Sequence, residues 1–321
     1  MRAFVTGAAG FVGSHLCDRL LAAGHQVIGF DNFSTGRDEF LSAALRDPAF
    51  HLHRGDILDL ASLKETMRGA DFVFHMAAHA DVRFGTQCPR TDLEQNTIGS
   101  WNVLEAMRTC CVPRIAFAST GSIYGEPEIF PTPEDCPFPV QTSLYAASKL
   151  AAEGLIEAYA EGFGIQAFIF RFVSLLGPRY SHGHVIDFYR QLRDHPDRLE
   201  ILGNGRQRKS YLYVEDCIDA VLLACETARR KMNIFNVGTD EYCEVNDSVR
   251  WICQHLGMTP RITYSGGERG WVGDSPFILL DCTRIRSLGW KPRLSIRESV
   301  IKTLDFLEMW ADESQIFSNQ R

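Results

Sequence analysis

Short apolar runs alternate with longer segments of helical periodicity through the first half of this 321-residue chain. Strands are predicted at 2–6, 26–30, 51–54, 71–76, 114–119 and 166–171, and helices at 14–21, 60–69, 92–110 and 144–163. Such alternation builds a parallel sheet with helices on both faces. The pattern therefore predicts an α/β fold with a doubly wound parallel sheet, which binds ligands beyond the carboxyl ends of its strands.

The alternation becomes irregular after residue 171, where glycine and proline mark several loops. The helical segment at about 211–228 and the apolar segment 233–238 are compatible with the sheet and are expected to return to it. We therefore predict a first domain over 1–171, joined by 211–238. A smaller C-terminal lobe is predicted over 172–210 and 239–321.

A glycine turn joins the first predicted strand to the first helix. Gly7, Gly10 and Gly13 have the spacing G-x-x-G-x-x-G, and their missing side chains let the backbone turn tightly and approach a pyrophosphate. The second strand delivers Asp31, whose carboxylate is placed to accept hydrogen bonds from an adenosine ribose. An aspartate would repel a 2′-phosphate, so the sequence favours NAD over NADP. Arg37 would soften this preference, but a lone loop arginine is usually solvated.

Tyr145 and Lys149 lie four residues apart in a predicted helix and therefore share one face. A free tyrosine ionises near pH ~10 and is a poor base at neutral pH unless a positive charge favours its phenolate. Lys149 would supply that charge. Because this spacing also occurs on many solvated helices, its significance depends on the glycine turn.

The hydrophobic content of the chain indicates a large core, and its net negative charge disfavours binding to polyanions. The 45% hydrophobic content supports one large or two smaller domains, and the net charge of −7 argues against nucleic acid or an anionic membrane as partner. No apolar stretch approaches a membrane span, and the chain starts with a strand rather than a signal peptide. The ten cysteines lack a Cys-x-x-Cys pair, so we expect reduced thiols, no metal and a cytoplasmic location.

With these residues identified, the chain resembles the nucleotide-sugar epimerases and dehydratases of the extended short-chain dehydrogenase/reductase family, which have a Rossmann-type fold. The resemblance covers nearly the whole length and rests on motifs in the family's order. They are Thr6-Gly-Ala-Ala-Gly-Phe-Val-Gly13, Gly55-Asp56-Ile57, His75-Met-Ala-Ala78, Asn96-x-x-Gly99, Ser119-Thr-Gly-Ser-Ile-Tyr-Gly125, Tyr145-x-x-x-Lys149 and Arg171 leading to Gly177-Pro-Arg179.

The resemblance implies roles for individual residues. It makes Thr120, Tyr145 and Lys149 the catalytic set, with Tyr145 as base, Lys149 also bonding the nicotinamide ribose, and Thr120 bonding the reacting oxygen. The implied NAD contacts, besides the three glycines, Asp31, Tyr145 and Lys149, are Phe11, Val12, Asn32, Asp56, Ile57, Ala77 and Ala78.

For the substrate, a nucleotide-diphosphate sugar, the implied contacts are Ser122, Ser174, Arg179, Arg208, Lys209 and Arg269. Ser174 replaces the family's usual asparagine, and Lys209 stands where an arginine is usual, so it lacks the bidentate fork. The lobe resembles that of archaeal-type UDP-glucose 4-epimerases, which favours uridine. His182 and His184 lie in the loop after Arg179 and would face the sugar, although exposed loop histidines often have no specific role.

The reaction that the resemblance favours is epimerisation, most readily at C4, through a transient keto-sugar. Dehydratases of this kind carry an Asp-Glu pair after the catalytic threonine, where this chain has Gly121 and Ser122. Decarboxylases usually carry a glutamate at the Ser122 position. Epimerisation at C2 or C3 stays open, and a non-catalytic NAD-binding scaffold is disfavoured because Tyr145 and Lys149 are both present.

The resemblance also implies a homodimer built from the helices near 92–110 and 144–163. These helices carry apolar stripes, partly needed to cover their own sheet, and a C₂ interface is the commonest assembly. The stripe residues are Trp101, Leu104, Met107, Leu150, Leu155 and Ile156.

Overall fold

A seven-stranded parallel sheet forms the centre of the computed structural model, which describes residues 1–138 and 140–318, in backbone only at Phe84 and over 311–318. The strands of the protein are β1 Arg2–Thr6, β2 Gln26–Asp31, β3 Phe50–Arg54, β4 Phe72–His75, β5 Arg114–Thr120, β6 Gln166–Phe172, β7 Ser174–Leu176, β8 Arg198–Ile201, β9 Arg208–Lys209, β10 Tyr211–Tyr213, β11 Met232–Val237, β12 Cys243–Glu244 and β13 Arg261–Tyr264. The central sheet has the order β11-β6-β5-β4-β1-β2-β3.

Helices cover both faces of this sheet. They are α1 Phe11–Ala22, α2 Leu60–Thr66, α3 Pro89–Asp92, α4 Gly99–Cys110, α5 Leu144–Phe163, α6 His184–Asp194, α7 Val214–Thr227, α8 Val245–Leu256, α9 Thr283–Arg286 and α10 Ile296–Ser318. The predicted doubly wound parallel sheet is confirmed. In the described residues, no helix combines the length and apolar content needed to cross a membrane.

Strand β1 is an unbroken apolar run because both of its faces are buried. Ala3 and Val5 pack with α1 and α7 on one face, whereas Phe4 packs with α2 and α4 on the other, and all three side chains are fully buried. Because successive side chains point to opposite faces, a strand covered on both sides has no solvent-facing positions to make polar.

The predicted helix over 92–110 is broken into three pieces. The chain runs from α3 through a π-helical turn, Leu93–Ile98, into α4. Asn96 lies in that turn and is buried. Its side-chain oxygen accepts a hydrogen bond from the His79 backbone N–H at 2.9 Å, which ties the turn to the loop after β4.

The segment after residue 171 contributes to both parts of the molecule. Strand β11 pairs in parallel with β6 at the edge of the main sheet, and α7 packs beside α1. A separate core joins α6, α8 and α10 with three two-stranded sheets, β7–β10, β9–β12 and β8–β13. The domain boundaries given above stay a prediction.

A buried ion pair connects α5 to the central strands. Glu153 and Arg171 are 1% and 2% exposed, and their closest N–O distance is 2.7 Å. Arg171 also donates to the Tyr124 hydroxyl and to the Glu134 carbonyl, each at 2.8 Å, and the Ser119 hydroxyl donates to Glu153. All strong hydrogen-bonding groups of the pair are thereby satisfied by protein.

We expect Glu153→Gln to lower the free energy of unfolding by about 3–5 kcal/mol, because it leaves the Arg171 charge buried without its counterion. Urea denaturation measures the change. Glu161→Gln is the matched control on the same helix, since Glu161 pairs with Lys231 at the solvent-exposed surface and should matter little. Equal effects of the two substitutions would contradict this assignment.

Candidate functional site

The glycine turn lies at the carboxyl end of β1, where the sheet order reverses between β1 and β4. Gly7 has φ of +68°, and a Cβ added there would lie 2.7 Å from the Ala77 nitrogen. A Cβ on Gly13 would lie 2.0 Å from the Gly7 carbonyl oxygen. The close approach of backbone to backbone therefore requires glycine at both positions. It leaves the amino end of α1 open to a pyrophosphate.

Asp31 ends β2 beside this turn, and its side chain is 8% exposed. Its carboxylate accepts the Ala9 N–H at 2.9 Å and the Phe33 N–H at 2.7 Å. Burial raises the pKa of Asp31, and these two hydrogen bonds oppose the rise. Arg37 does not pair with Asp31, because its guanidinium lies over the Trp310 ring, 4.6 Å from the ring centroid.

A fully buried histidine supports the wall next to the turn. Ser100 donates its hydroxyl proton to the Asn96 carbonyl at 2.6 Å, so Nε2 of His75 must donate to Ser100 and Nδ1 must accept from the Thr6 hydroxyl. The Thr6 oxygen in turn accepts the Ala77 N–H at 3.2 Å. Burial lowers the pKa of His75 to about 3, which keeps the ring neutral. The sequence motif contained His75, but its role in fixing Ala77 was missed.

The other predicted dinucleotide contacts follow the same edge of the sheet. Asn32 donates to Asp56 at 2.9 Å, and Asp56 also accepts the Leu58 N–H at 2.9 Å. Ile57 is buried, and Phe11, Val12 and Ala78 line the large cavity described below. The glycine turn, the buried Asp31 and this edge together fit a dinucleotide such as NAD, and the individual contacts stay predictions.

Thr120, Tyr145 and Lys149 meet where the end of β5 faces the first turns of α5. Ser143 caps α5 by accepting the Ala146 N–H at 3.1 Å, which sets where the helix begins. The Thr120 side chain is hydrogen-bonded to Tyr145. Lys149 is 2% exposed and donates from Nζ to the Ala118 carbonyl at 2.9 Å. The structure therefore brings the three predicted catalytic residues together.

Burial dominates the protonation of this group. It raises the pKa of Tyr145 to about 12, with the Thr120 hydrogen bond acting in the opposite direction and the Asp92 charge adding to the rise. It lowers the pKa of Lys149 to about 7, against the attraction of Glu153. The stabilisation of a Tyr145 phenolate by Lys149 stays a prediction.

Glu153 was missed in the sequence, although its position indicated a role. It lies one helical turn after Lys149 on the same face of α5, and its negative charge opposes the lowering of the Lys149 pKa by burial. Three consecutive residues of β5 thus each contact one residue of α5: Ala118 binds Lys149, Ser119 binds Glu153 and Thr120 binds Tyr145.

The catalytic group opens into a cavity of about 680 Å³ between the sheet and the C-terminal lobe. Of the predicted substrate contacts, Ser122, Ser174 and Lys209 line it, as do His182 and His184. Lys209 is ion-paired with Asp274 at 2.5 Å, and it also donates to the Ser275 carbonyl. Its charge is therefore largely neutralised within the protein.

The three predicted arginines do not line this cavity, and their role as substrate contacts stays a prediction. Arg179 is paired with Asp18 at 2.7 Å. Arg208 lies over the Phe277 ring at 4.0 Å, and Arg269 is paired with Glu126 at 2.5 Å. In each case a partner distant in the sequence, or an aromatic ring, draws the guanidinium away.

The residues that would distinguish a dehydratase are absent for a steric reason as well as a chemical one. Thr120 caps the short 3₁₀ turn Gly121–Tyr124 by accepting the Ser122 N–H at 3.1 Å. A Cβ on Gly121 would lie 3.1 Å from Cδ1 of Leu280, so a longer side chain there requires Leu280 to move. No carboxylate occupies either position after Thr120.

We expect the protein stripped of cofactor to bind NAD more tightly than NADP, because the buried Asp31 carboxylate repels a 2′-phosphate. Titration with both dinucleotides measures the difference. Asp31→Asn should reduce the difference in affinity between NAD and NADP. Asp197 is an exposed aspartate in the other lobe, and Asp197→Asn should leave that difference unchanged. Equal or tighter binding of NADP by the unmodified protein would show that Asp31 has another role.

Comparison with known proteins gives one consistent family. The model of the NAD dependent epimerase/dehydratase family matches residues 3–238. A UDP-glucose 4-epimerase of Mycolicibacterium smegmatis is 33% identical over 95% of this chain and 98% of its own length. A probable UDP-glucuronate 4-epimerase of Rhizobium meliloti is 30% identical, with 98% of each chain covered.

Solved structures agree with the sequence comparison. The crystal structure of a UDP-glucose 4-epimerase of Thermotoga maritima with UDP-glucose superposes with a TM-score of 0.87 and 31% identity, covering 97% of this chain and 100% of that one. The family model, the relatives and the solved structure therefore agree on both sequence and fold, and the chain belongs to the NAD-dependent epimerase/dehydratase family.

Proposed function

We propose that this protein is an NAD-dependent epimerase that reversibly inverts C4 of a UDP-linked hexose or uronic acid through a transient 4-keto sugar. The observation that carries the proposal is the Thr120–Tyr145–Lys149 group at the end of β5, with no carboxylate at positions 121 and 122. Relatives named 4-epimerases, one of them solved with UDP-glucose, support the choice of carbon and of nucleotide.

Each residue of the group has a defined task in this reaction. Tyr145 takes the proton of the C4 hydroxyl, and Thr120, already bonded to Tyr145, donates to or accepts from the reacting oxygen. Lys149, when protonated, places a positive charge in the same buried wall. Bound NAD would supply the hydride acceptor and donor that oxidation and re-reduction at C4 need.

Tyr145 must lose its proton before it acts as the base, and the structure indicates what opposes this. With a pKa raised to about 12 by burial, the phenol is protonated at neutral pH, while the Lys149 pKa of about 7 leaves that side chain partly neutral. Protonated Lys149, in the same buried wall, favours the phenolate, and the hydrogen bond from Thr120 acts in the same direction.

The two positions after Thr120 lack the carboxylates that the alternative reactions use there. Loss of water across C5 and C6 needs an acid and a base, whereas Gly121 and Ser122 offer only a hydroxyl. The decarboxylases of this family usually place a glutamate where Ser122 stands. We therefore propose that the 4-keto sugar is reduced again at C4, so that the cycle has no net use of NAD.

The diphosphate of the substrate needs a cation in the cavity wall. Lys209 lines the cavity and offers a point charge, although Asp274 shares it. Arg208 and Arg269 reach the cavity only if they leave the aromatic ring and the carboxylate that now hold them. We propose Lys209 as the primary contact.

We expect incubation with UDP-glucose or UDP-galactose to give a product of unchanged mass, identified as the C4 epimer by NMR. Tyr145→Phe should retain NAD yet slow turnover by a factor on the order of 10²–10⁴, the usual contribution of an acid–base group. Tyr264→Phe, which removes an exposed hydroxyl bonded to Asn246 outside the cavity, is the matched control. Full activity of Tyr145→Phe, or a lighter product, would refute the proposal.

We also propose a cytoplasmic homodimer built on α4 and α5. Leu104, Met107 and Ile156 are buried against the protein's own sheet, so these three predicted stripe residues are not available to a partner. Trp101 is 41% exposed, so its indole ring is available to pack against a second subunit.

Light scattering at micromolar concentration should report a dimer, and Trp101→Glu should shift it to monomer, because a charge would be buried at the interface. Tyr242→Glu, at another exposed aromatic residue, is the control. A monomer from the unmodified protein would overturn the proposed assembly.

A further inference from the structure

A charged group of three residues lies in the cavity wall that the C4 mechanism does not use. Arg83 follows β4 and donates to Asp81 from Nε at 3.0 Å and from Nη2 at 2.8 Å. Its third nitrogen, Nη1, donates to Asp187 of α6 at 2.8 Å. All three residues line the cavity, and the last contact joins the loop after β4 to the C-terminal lobe.

The group carries a net negative charge. Burial alone would raise the pKa of the Asp81 carboxyl, but the hydrogen bonds from Arg83 outweigh it and the pKa is lowered. The same contact raises the pKa of Arg83 above its ordinary value. Two carboxylates therefore face one guanidinium, and every nitrogen of that guanidinium already has a carboxylate partner.

The other cations of the wall do not offset this charge. Lys149 donates to the Ala118 carbonyl, and Lys209 is paired with Asp274. Arg190 lies one turn after Asp187 at the solvent-exposed side of α6, where water and salt screen its charge. Burial lowers the pKa of His182, so this ring adds no charge at neutral pH.

The charged group and the Thr120–Tyr145–Lys149 group line the same cavity. The loop that contains Arg83 packs against the start of α5: a Cβ added to Gly85 would lie 3.4 Å from the Leu144 Cβ, and Tyr145 is the next residue. In a hexose, C6 is attached to C5, the neighbour of C4. A sugar with C4 at Tyr145 therefore carries its C6 group within a few bonds of the reacting atom, in the same part of the cavity.

We infer that Asp81, Arg83 and Asp187 form a charge filter that admits a neutral hexose and disfavours a sugar with a C6 carboxylate. This inference rests on the proposed C4 epimerisation and chooses between its two substrate classes, which the relatives leave open because both are represented at similar identity. A uronate would meet two carboxylates and a guanidinium whose nitrogens are already engaged. Like charges placed together disfavour binding strongly.

The test compares UDP-glucose with UDP-glucuronic acid, which differ only at C6. Affinities are measured by calorimetry on the NAD-loaded protein, and kcat/KM is measured for each substrate. We expect the affinity and the kcat/KM for UDP-glucose each to exceed the value for UDP-glucuronic acid by about tenfold or more. Both of these ratios should fall as salt is added. Because calorimetry needs no turnover, the affinity ratio decides this inference even if the proposed reaction fails.

Asp187→Asn should shift both ratios toward the uronate by about tenfold, because it removes one negative charge and releases Nη1 of Arg83. Asp81→Asn should act in the same direction. Asp219→Asn, which removes a carboxylate paired with Arg19 and Arg293 outside the cavity, is the matched control and should leave the ratios unchanged.

Two outcomes would overturn the filter: tighter binding of UDP-glucuronic acid by the unmodified protein, or ratios that Asp187→Asn does not change. Epimerisation of the uronate in preference to the hexose would reject the filter and leave the proposed C4 chemistry standing. Binding of both sugars without turnover of either would reject the chemistry, while the affinity ratio would still test the filter.

Discussion

The register between β5 and α5 is the constraint on which the site depends. Three consecutive residues of the strand contact three residues on one face of the helix, and the middle contact is a carboxylate neutralised by the buried Arg171. A lysine ammonium that is 2% exposed is unfavourable by itself. The Glu153 charge opposes this penalty, so the ion pair that holds the helix also keeps Lys149 closer to its charged state.

The same sheet edge organises the proposed cofactor site. The glycine turn follows β1, Asp31 ends β2, His75 ends β4 and Thr120 ends β5. Because these strands are parallel and adjacent in the order β5-β4-β1-β2, their carboxyl ends place the four features side by side. Along this edge, the predicted dinucleotide-binding residues lie next to the acid–base group. A hydride transfer requires the cofactor and the acid–base group to be neighbours in this way.

The sequence predicted features that are encoded within short segments, and it did not predict contacts between residues that are far apart in the chain. The alternation of strands and helices, the glycine turn and the Tyr145–Lys149 spacing are all contained in short segments, and they led to the correct sheet. The arginines could not be placed this way. Arg179 pairs with Asp18, which lies 161 residues away, and Arg208 packs between aromatic residues brought together only by the folded lobe. The contact of Arg83 with Asp187 was missed for the same reason, since 104 residues separate the two. Glu153 differs, because its position one turn after Lys149 was a local signal that was overlooked.

The central claim is that C4 of the sugar is oxidised and then reduced on its opposite face within one catalytic cycle, for which one bound NAD would supply both the hydride acceptor and the hydride donor. The most direct measurement uses UDP-glucose with deuterium at C4 and follows the product by NMR and mass spectrometry. The account predicts that UDP-galactose forms with the deuterium retained at C4 and without NADH accumulating in solution. Loss of the label to solvent, or NADH released in step with substrate consumed, would contradict it.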